Sequence, residues 1–180
     1  MTYAEYVAAE LRADVRHEYL RGQVWAMAGG TPEHGRIAAN VIGAFLRAIG
    51  DRPCTVFTSD VRVRIEETDR STYPDVSVVC GPRTTAKDDP DALTNPVVLV
   101  EVLSDSTEAD DRGEKFAHYR RLPSLREYVL VSQRTPRIEV YRREGAEWIL
   151  SEAVSGEQVR VASLDVDLAV DVIYRDPTAA

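Results

Sequence analysis

The segment Val97–Leu103 (VVLVEVL) places one carboxylate, Glu101, among six apolar residues. A short apolar run of this kind is typical of a central strand that is covered on both faces of its sheet. An unpaired carboxylate in such a strand would cost several kcal/mol. Glu101 therefore needs a partner, which can be a metal ion, a Lys or Arg side chain, or water at an exposed end of the strand.

A second carboxylate, Asp75, follows Pro74 and begins another apolar segment, Val76–Val79. Pro-Asp at the start of a strand is also common turn chemistry, and a purely structural Asp75 is the alternative. Carboxylates on neighbouring strands can converge on a hard divalent cation, which prefers oxygen ligands. Together with Glu101, Asp75 therefore indicates a site for metal-assisted hydrolysis of a phosphodiester.

Only two residues, Lys87 and Lys115, can supply chemistry that requires a lysine. A predicted helix from about Ala109 to Arg121 aligns Asp111, Lys115 and Tyr119 on one stripe. A surface Asp–Lys pair is the alternative there. Because this helix follows the Glu101 strand, we expect Lys115 Nζ within roughly 3–6 Å of the Glu101 carboxylate, and Asp75 within about 3–5 Å of Glu101.

The remaining patterns predict an α/β (α+β) fold around one mixed sheet that is flanked by helices. Helices are expected at 2–12 and from Thr31 to Gly50, a hairpin at 17–27, polar loops at 66–72 and 83–95, and a strand meander from 127 to 150. We expect a single domain over 1–180. It is divided into an N-terminal helix and hairpin (1–30), a core (31–132) and a C-terminal strand meander (133–175).

The composition of the chain excludes several classes of protein. The net charge of −8 argues against non-specific binding of nucleic acid over the whole surface, although it leaves a local site open. No apolar run approaches the roughly 18 residues of a membrane span, and the N-terminus lacks the pattern of a signal peptide, so we expect a soluble, cytoplasmic protein. Cys54 and Cys80 are expected as small buried apolar residues without a disulfide framework.

The order of motifs resembles a known family. Pro74-Asp75 followed by Glu101-Val102-Leu103 resembles the PD-(D/E)xK nuclease motif, although Leu103 stands where that motif has its lysine. The more specific resemblance is to the Uma2 family, also called DUF820, and it extends from about Thr2 to Val131. It is carried by VEVLSDST with Asp111, Lys115 and Tyr119, by HEYLRGQVWAMAG, and by the helix opening Glu33-His34.

This resemblance implies a restriction-endonuclease-like fold and a nuclease site of Asp75, Glu101 and Lys115. It also implies Mg²⁺ (or Mn²⁺) on the two acids, the lysine supplied from the helix, and Glu18 as a further catalytic acid. From the residues alone, the favoured interpretation is that Glu18 faces solvent from its short strand. His34 is expected to pack or to stay exposed, with contact to a substrate phosphate as the alternative.

The leading hypothesis is a metal-dependent endonuclease that hydrolyses DNA, as a homodimer because cutting both strands of a duplex usually takes two sites. The alternative is a catalytically silent form of the same fold that serves as a protein-interaction or dimerisation scaffold. The net charge of −8 favours the scaffold, because DNA must reach the site against a negative field. The presence of Asp75, Glu101 and Lys115 favours the enzyme.

Overall fold

A computed structural model describes residues 1–27 and 29–178 of the chain. In this part of the chain, the strands form two six-stranded mixed sheets and one two-stranded ribbon, and helices pack against them. The mixed α+β architecture confirms the predicted fold class. The expectation of one sheet is wrong, because strands also form in two stretches that the sequence presents as polar loops.

The helices are α1 (Tyr3–Glu10), α2 (Pro32–Ile49), α3 (Glu108–Asp110), α4 (Phe116–Tyr119) and α5 (Val170–Ile173), with a π-helical turn (Asp111–Lys115) between α3 and α4 and 3₁₀ turns at Glu66–Thr68 and Ala162–Leu164. Thr2 and Glu5 form a capping box at the start of α1. Thr31 caps α2, and Gly50 ends it as predicted. None of the helices in the described ranges is long and apolar enough to cross a lipid bilayer.

The strands are β1 (His17–Leu20), β2 (Gln23–Ala26), β3 (Cys54–Thr58), β4 (Arg62–Ile65), β5 (Arg70–Thr72), β6 (Val76–Cys80), β7 (Thr85–Ala86), β8 (Asp89–Leu93), β9 (Val98–Leu103), β10 (Glu127–Ser132), β11 (Arg137–Glu144), β12 (Glu147–Val154), β13 (Gln158–Val161) and β14 (Val166–Ala169). The first large sheet, sheet A, has the order β2-β1-β5-β4-β8-β7. The second, sheet B, has the order β12-β11-β10-β9-β6-β3.

Strand β9 lies inside sheet B, parallel to β10 and antiparallel to β6, and all of its residues are buried. Its valines, such as Val100, belong to the apolar core that includes α2. Leu99 and Leu103 belong to the core on the other side, together with Phe116 and Tyr119. Since side chains alternate along a strand, Glu101 points to the same side as these leucines. The prediction of a covered central strand is confirmed.

Cys54 and Cys80 form a disulfide, with a bond of 2.02 Å between the two Sγ atoms. The two residues stand opposite each other where β3 pairs with β6. The expectation of two separate cysteines is therefore wrong. The pairing depends on the register of two strands that are far apart in sequence, and the spacing of the cysteines does not reveal that register.

A buried ion pair joins β4 to β8 in sheet A. Arg62 donates from Nε and Nη2 to the two carboxylate oxygens of Asp89, at 2.9 and 2.8 Å. The Tyr3 hydroxyl donates to the same carboxylate at 2.8 Å. Burial raises the pKa of Asp89, but the hydrogen bonds from Arg62 and Tyr3 outweigh it and the pKa is lowered overall. This pair accounts for the burial of Asp89 in a segment that the sequence presents as a polar loop.

We predict that Arg62→Leu lowers the free energy of unfolding by about 3–5 kcal/mol, because Asp89 is left buried without its cation. Urea denaturation measures the change. The matched control is Arg160→Leu, which removes an exposed pair with Asp167 and should cost less than about 1 kcal/mol. Equal losses in the two variants would contradict the assignment of the buried pair.

Candidate functional site

A cleft of about 1330 Å³ is lined by residues of β1, β2, the start of α2, the end of β9 and the π-helical turn. All four residues predicted for the site, Glu18, Asp75, Glu101 and Lys115, line it. The structure therefore brings together side chains from both large sheets and from the helical segment after β9.

Asp75 stands immediately before β6, and Glu101 belongs to the neighbouring strand β9 of sheet B. Val76 in β6 pairs with Val100 in β9, which brings the preceding Asp75 beside the Glu101 end of β9. Asp75 Oδ2 accepts a hydrogen bond of 2.7 Å from the backbone N–H of Val102, which fixes this carboxylate at the end of β9.

The Lys115 ammonium lies among three buried carboxylates. Its Nζ is 3.1 Å from Glu101 Oε1 and 3.1 Å from Asp111 Oδ1. Glu18 Oε1 lies 3.5 Å from the same nitrogen. The distance to Glu101 confirms the approach of roughly 3–6 Å expected from the sequence. Lys115 is only 7% exposed, so the alternative of a surface pair is wrong although the contact with Asp111 exists.

Glu18 is buried, and the alternative of a solvent-facing residue in β1 is wrong. The Thr72 hydroxyl donates to its Oε1, and Arg70 donates to its Oε2 at 3.4 Å. Burial raises the pKa of Glu18, but Lys115, Thr72 and Arg70 more than offset this effect, so the pKa is lowered overall. Glu18 is therefore held as a carboxylate that can keep the ammonium in place.

Tyr119 donates a hydrogen bond of 2.6 Å to Glu101 Oε1, the same oxygen that contacts Lys115. Burial raises the pKa of Glu101 well above its usual range, and the nearby Asp111 and Asp75 add to this while Lys115 only partly offsets it. Burial alone would lower the pKa of Lys115, but its carboxylate neighbours raise it well above the usual value. The cluster thus combines a firmly charged cation with an excess of acidic groups.

His34 contacts the site from the first turn of α2, where its Nε2 is 3.2 Å from Asp75 Oδ2. The Thr31 hydroxyl accepts from the backbone N–H of His34 at 3.1 Å and fixes that turn. The hydrogen bond to Asp75 raises the pKa of His34. From the sequence, His34 was expected to pack or to stay exposed, and its contact with Asp75 was not predicted. That contact depends on where α2 docks against sheet B.

Four further residues contact the site although the sequence analysis assigned them no catalytic or metal-binding role. Asp111 and Tyr119 lie on the predicted stripe with Lys115, so their spacing was a usable signal. Arg70 and Thr72 fall in a stretch that was predicted to be a polar loop, and the sequence carries no signal that they belong to the site. A π-helical turn carries Asp111 and Lys115, and such turns often occur at functional sites.

The donor atoms at the two acids fit a hard divalent ion. Contacts from the described residues fall on Asp75 Oδ2 and Glu101 Oε1, which leaves Asp75 Oδ1 and Glu101 Oε2 for a ligand. Within residues 1–27 and 29–178, no group of three or more His, Cys, Asp or Glu side chains is arranged to hold a metal ion. Mg²⁺ usually takes only one or two carboxylates and completes its shell with waters and substrate phosphates.

Comparison with known proteins identifies the family. Residues 3–172 match the Uma2 family, which is described as "Putative restriction endonuclease". The chain belongs to the Uma2 family. The matched range contains both large sheets and every residue of the candidate site, and it confirms the resemblance carried by the sequence motifs.

Synechocystis sp. contains similar proteins. "Uncharacterized protein slr1290" is 37% identical over 172 residues, which cover 95% of this chain and 90% of that protein. "Uncharacterized protein sll1609" is 35% identical over 162 residues, with 89% and 91% covered. The crystal structure of "a putative nuclease belonging to DUF820 from Anabaena variabilis" matches with a TM-score of 0.73 at 18% identity, and covers 93% of this chain and 96% of that one. This likeness shows a shared fold.

We predict that Lys115→Met in this Uma2 protein lowers the free energy of unfolding by about 3–5 kcal/mol, because three buried carboxylates lose their shared cation. Urea denaturation measures the loss. Lys87→Met is the control, since Lys87 is the other lysine of the chain and is exposed; it should stay within about 0.5 kcal/mol of wild type. A wild-type stability for Lys115→Met would show that the ammonium does not hold the cluster.

Proposed function

We propose that this Uma2 protein is a divalent-metal-dependent endonuclease that hydrolyses phosphodiester bonds of DNA. The proposal is carried by the convergence of Asp75, Glu101 and Lys115 on one end of β9, inside the cleft. Two carboxylates with one available oxygen each suit Mg²⁺ or Mn²⁺. A desolvated ammonium suits the negative charge that develops when a phosphodiester is attacked.

In this mechanism Asp75 and Glu101 would hold the ion, which would supply Lewis acidity and activate water as the nucleophile. Lys115 places its positive charge where the attacking hydroxide or the phosphorane carries negative charge. Glu18 and Asp111 position that ammonium by contacting it from two other elements. Tyr119 fixes Glu101 Oε1 and so leaves Oε2 for the ligand.

A second candidate function is a catalytically silent scaffold for protein interaction or dimerisation. The net charge of −8 favours it, because a negative surface slows the approach of DNA. Lys115 could then act only as the structural cation of the cluster. Metal binding and nucleic-acid cleavage separate the two candidates, since a scaffold needs neither.

The homodimer rests on the argument that two sites are needed to cut both strands of a duplex, and it stays a prediction. A nick in one strand needs only one copy. The cytoplasmic location also stays a prediction of the sequence analysis.

We predict that Mn²⁺ at 100 times its dissociation constant raises the melting temperature of wild type by about 5–10 °C, because the ion binds only the folded state. Asp75→Asn and Glu101→Gln should remove this shift, since each replaces a carboxylate with a neutral amide of similar shape. Differential scanning fluorimetry measures the shift, and calorimetry gives the dissociation constant.

The control for the metal experiment is Glu66→Gln, which changes an exposed acid in a 3₁₀ turn away from the cleft and should keep the full shift. If the melting-temperature shift is unchanged in both Asp75→Asn and Glu101→Gln, the metal binds elsewhere and the assignment of these two acids as its ligands is wrong.

We further predict that the protein nicks supercoiled plasmid only when Mg²⁺ or Mn²⁺ is present. Glu101→Gln should abolish nicking, and Lys115→Met should slow it by at least about 100-fold, because a charge that stabilises the transition state is lost. Rates are measured on gels at a temperature at which each variant is folded by circular dichroism.

Lys87→Met should nick at the wild-type rate. Equal rates for Lys115→Met and wild type would remove Lys115 from the mechanism. A purified protein that cuts neither plasmid nor oligonucleotide with either ion, and shows no metal-induced shift, would support the scaffold.

A further inference from the structure

An exposed indole stands at the cleft that holds the candidate site. Trp25 lies in the motif HEYLRGQVWAMAG, on the edge strand β2, and the nuclease proposal gives it no role. It pairs across the hairpin with Glu18, so both side chains point to the same face. Trp25 lines the cleft with Glu101 and Lys115 and remains 38% exposed.

Arg70 connects this indole to the charged cluster. Its guanidinium carbon lies 6.0 Å from the centre of the Trp25 ring. The same guanidinium donates to Glu18 at 3.4 Å and to Asp110 at 3.1 Å. A cation at this distance from an indole is attracted to the ring face. Arg70 therefore contacts the Trp25 ring while 38% of the residue stays exposed, which leaves surface on which a flat group can stack.

The basic side chains of the cleft are already paired with acids of the chain. Arg16 pairs with Asp60, Arg134 with Asp105 at 2.6 Å, and Arg70 and Lys115 lie within the buried cluster. Acidic residues outnumber these four cations in the lining. Duplex DNA draws most of its non-specific affinity from cations that neutralise many phosphates. This cleft offers few such cations without breaking an ion pair.

We propose that Trp25 stacks on an unpaired base of the strand whose phosphate enters the site, so that the substrate is nucleic acid with a single-stranded segment at the scissile position. This inference rests on the proposed nuclease function and narrows its substrate class. Stacking on an aromatic side chain contributes about 1–3 kcal/mol per base and requires no cation. An unpaired base therefore supplies affinity that the acidic cleft does not gain from phosphates.

The test uses intrinsic fluorescence. The chain has two tryptophans, and Trp148 packs edge-on against Phe116 with the ring centres 5.3 Å apart. In a Trp148→Phe background, Trp25 becomes the sole reporter. The protein is titrated in Ca²⁺ with a 12-nucleotide oligo(dT), with the same strand in a duplex, and with a 12-unit abasic strand that keeps the phosphates. Gels check that each probe remains intact.

We expect oligo(dT) to quench Trp25 emission, and the duplex and the abasic strand to bind more weakly without quenching. By fluorescence anisotropy of a labelled oligo(dT), Trp25→Ala should weaken binding about 5- to 150-fold, which is the stacking contribution of one base. Trp25→Phe should retain most of the affinity. The control is Val24→Ala, which changes the neighbouring exposed residue on the opposite face of β2.

Three results would overturn the inference. The first is equal affinity of Trp25→Ala and wild type for oligo(dT), and the second is equal quenching by the abasic strand. The third is Trp25 emission that shifts with protein concentration in the absence of oligonucleotide, together with a sedimentation change that Trp25→Ala abolishes. That result would assign Trp25 to a contact between copies of the chain.

The outcome for Trp25 is separable from the outcome for the nuclease. Quenching by oligo(dT) without any cleavage in Mg²⁺ or Mn²⁺ would contradict the proposed nuclease function and support the stacking site. Metal-dependent cleavage of duplex and single strands at equal rates, unaffected by Trp25→Ala, would keep the nuclease and remove the stacking site.

Discussion

One buried ammonium connects the two large sheets at the candidate site. Lys115 contacts Glu18 from sheet A, Glu101 from sheet B and Asp111 from its own π-helical turn. A buried charge is tolerated only when charged partners and hydrogen bonds compensate for its lost hydration. Removing any one of these groups would therefore leave the remaining buried charges without that compensation and destabilise the fold. The contact that aligns the sheets is therefore also the contact that would position a catalytic cation.

The parts of the fold that bury apolar side chains were predictable from sequence. The apolar run around Glu101 became a covered strand, and the helix expected from Thr31 to Gly50 became α2. Strand β5 was missed because all of its buried side chains are polar, and β8 because it begins with the buried Asp89 and only its last two residues, Ala92 and Leu93, are apolar and buried. Arg70 and Asp89 are paired with partners from distant segments. Hydrophobic periodicity carries no information about such partners, so stretches of this kind read as loops.

The contacts of the candidate site were likewise predictable from sequence only in part. A lone carboxylate in an apolar strand requires a partner, and this requirement pointed from Glu101 to the lysine on the following helix. The contact between His34 and Asp75 depends on how α2 docks, and the disulfide between Cys54 and Cys80 depends on strand register. Both follow from tertiary geometry, which residue spacing alone does not encode.

The charges of the cleft set two demands against each other. Carboxylates with available oxygens attract a divalent ion, whereas the same negative charge repels a polyanion such as DNA. Lys115 cannot resolve the conflict, since three acids already share its ammonium. An ion held by Asp75 and Glu101 would attract the one phosphate that is to be cut, and an uncharged contact must then hold the rest of the strand. The indole of Trp25, contacted by Arg70 on the same face of sheet A, is an uncharged side chain of this cleft whose chemistry meets that requirement.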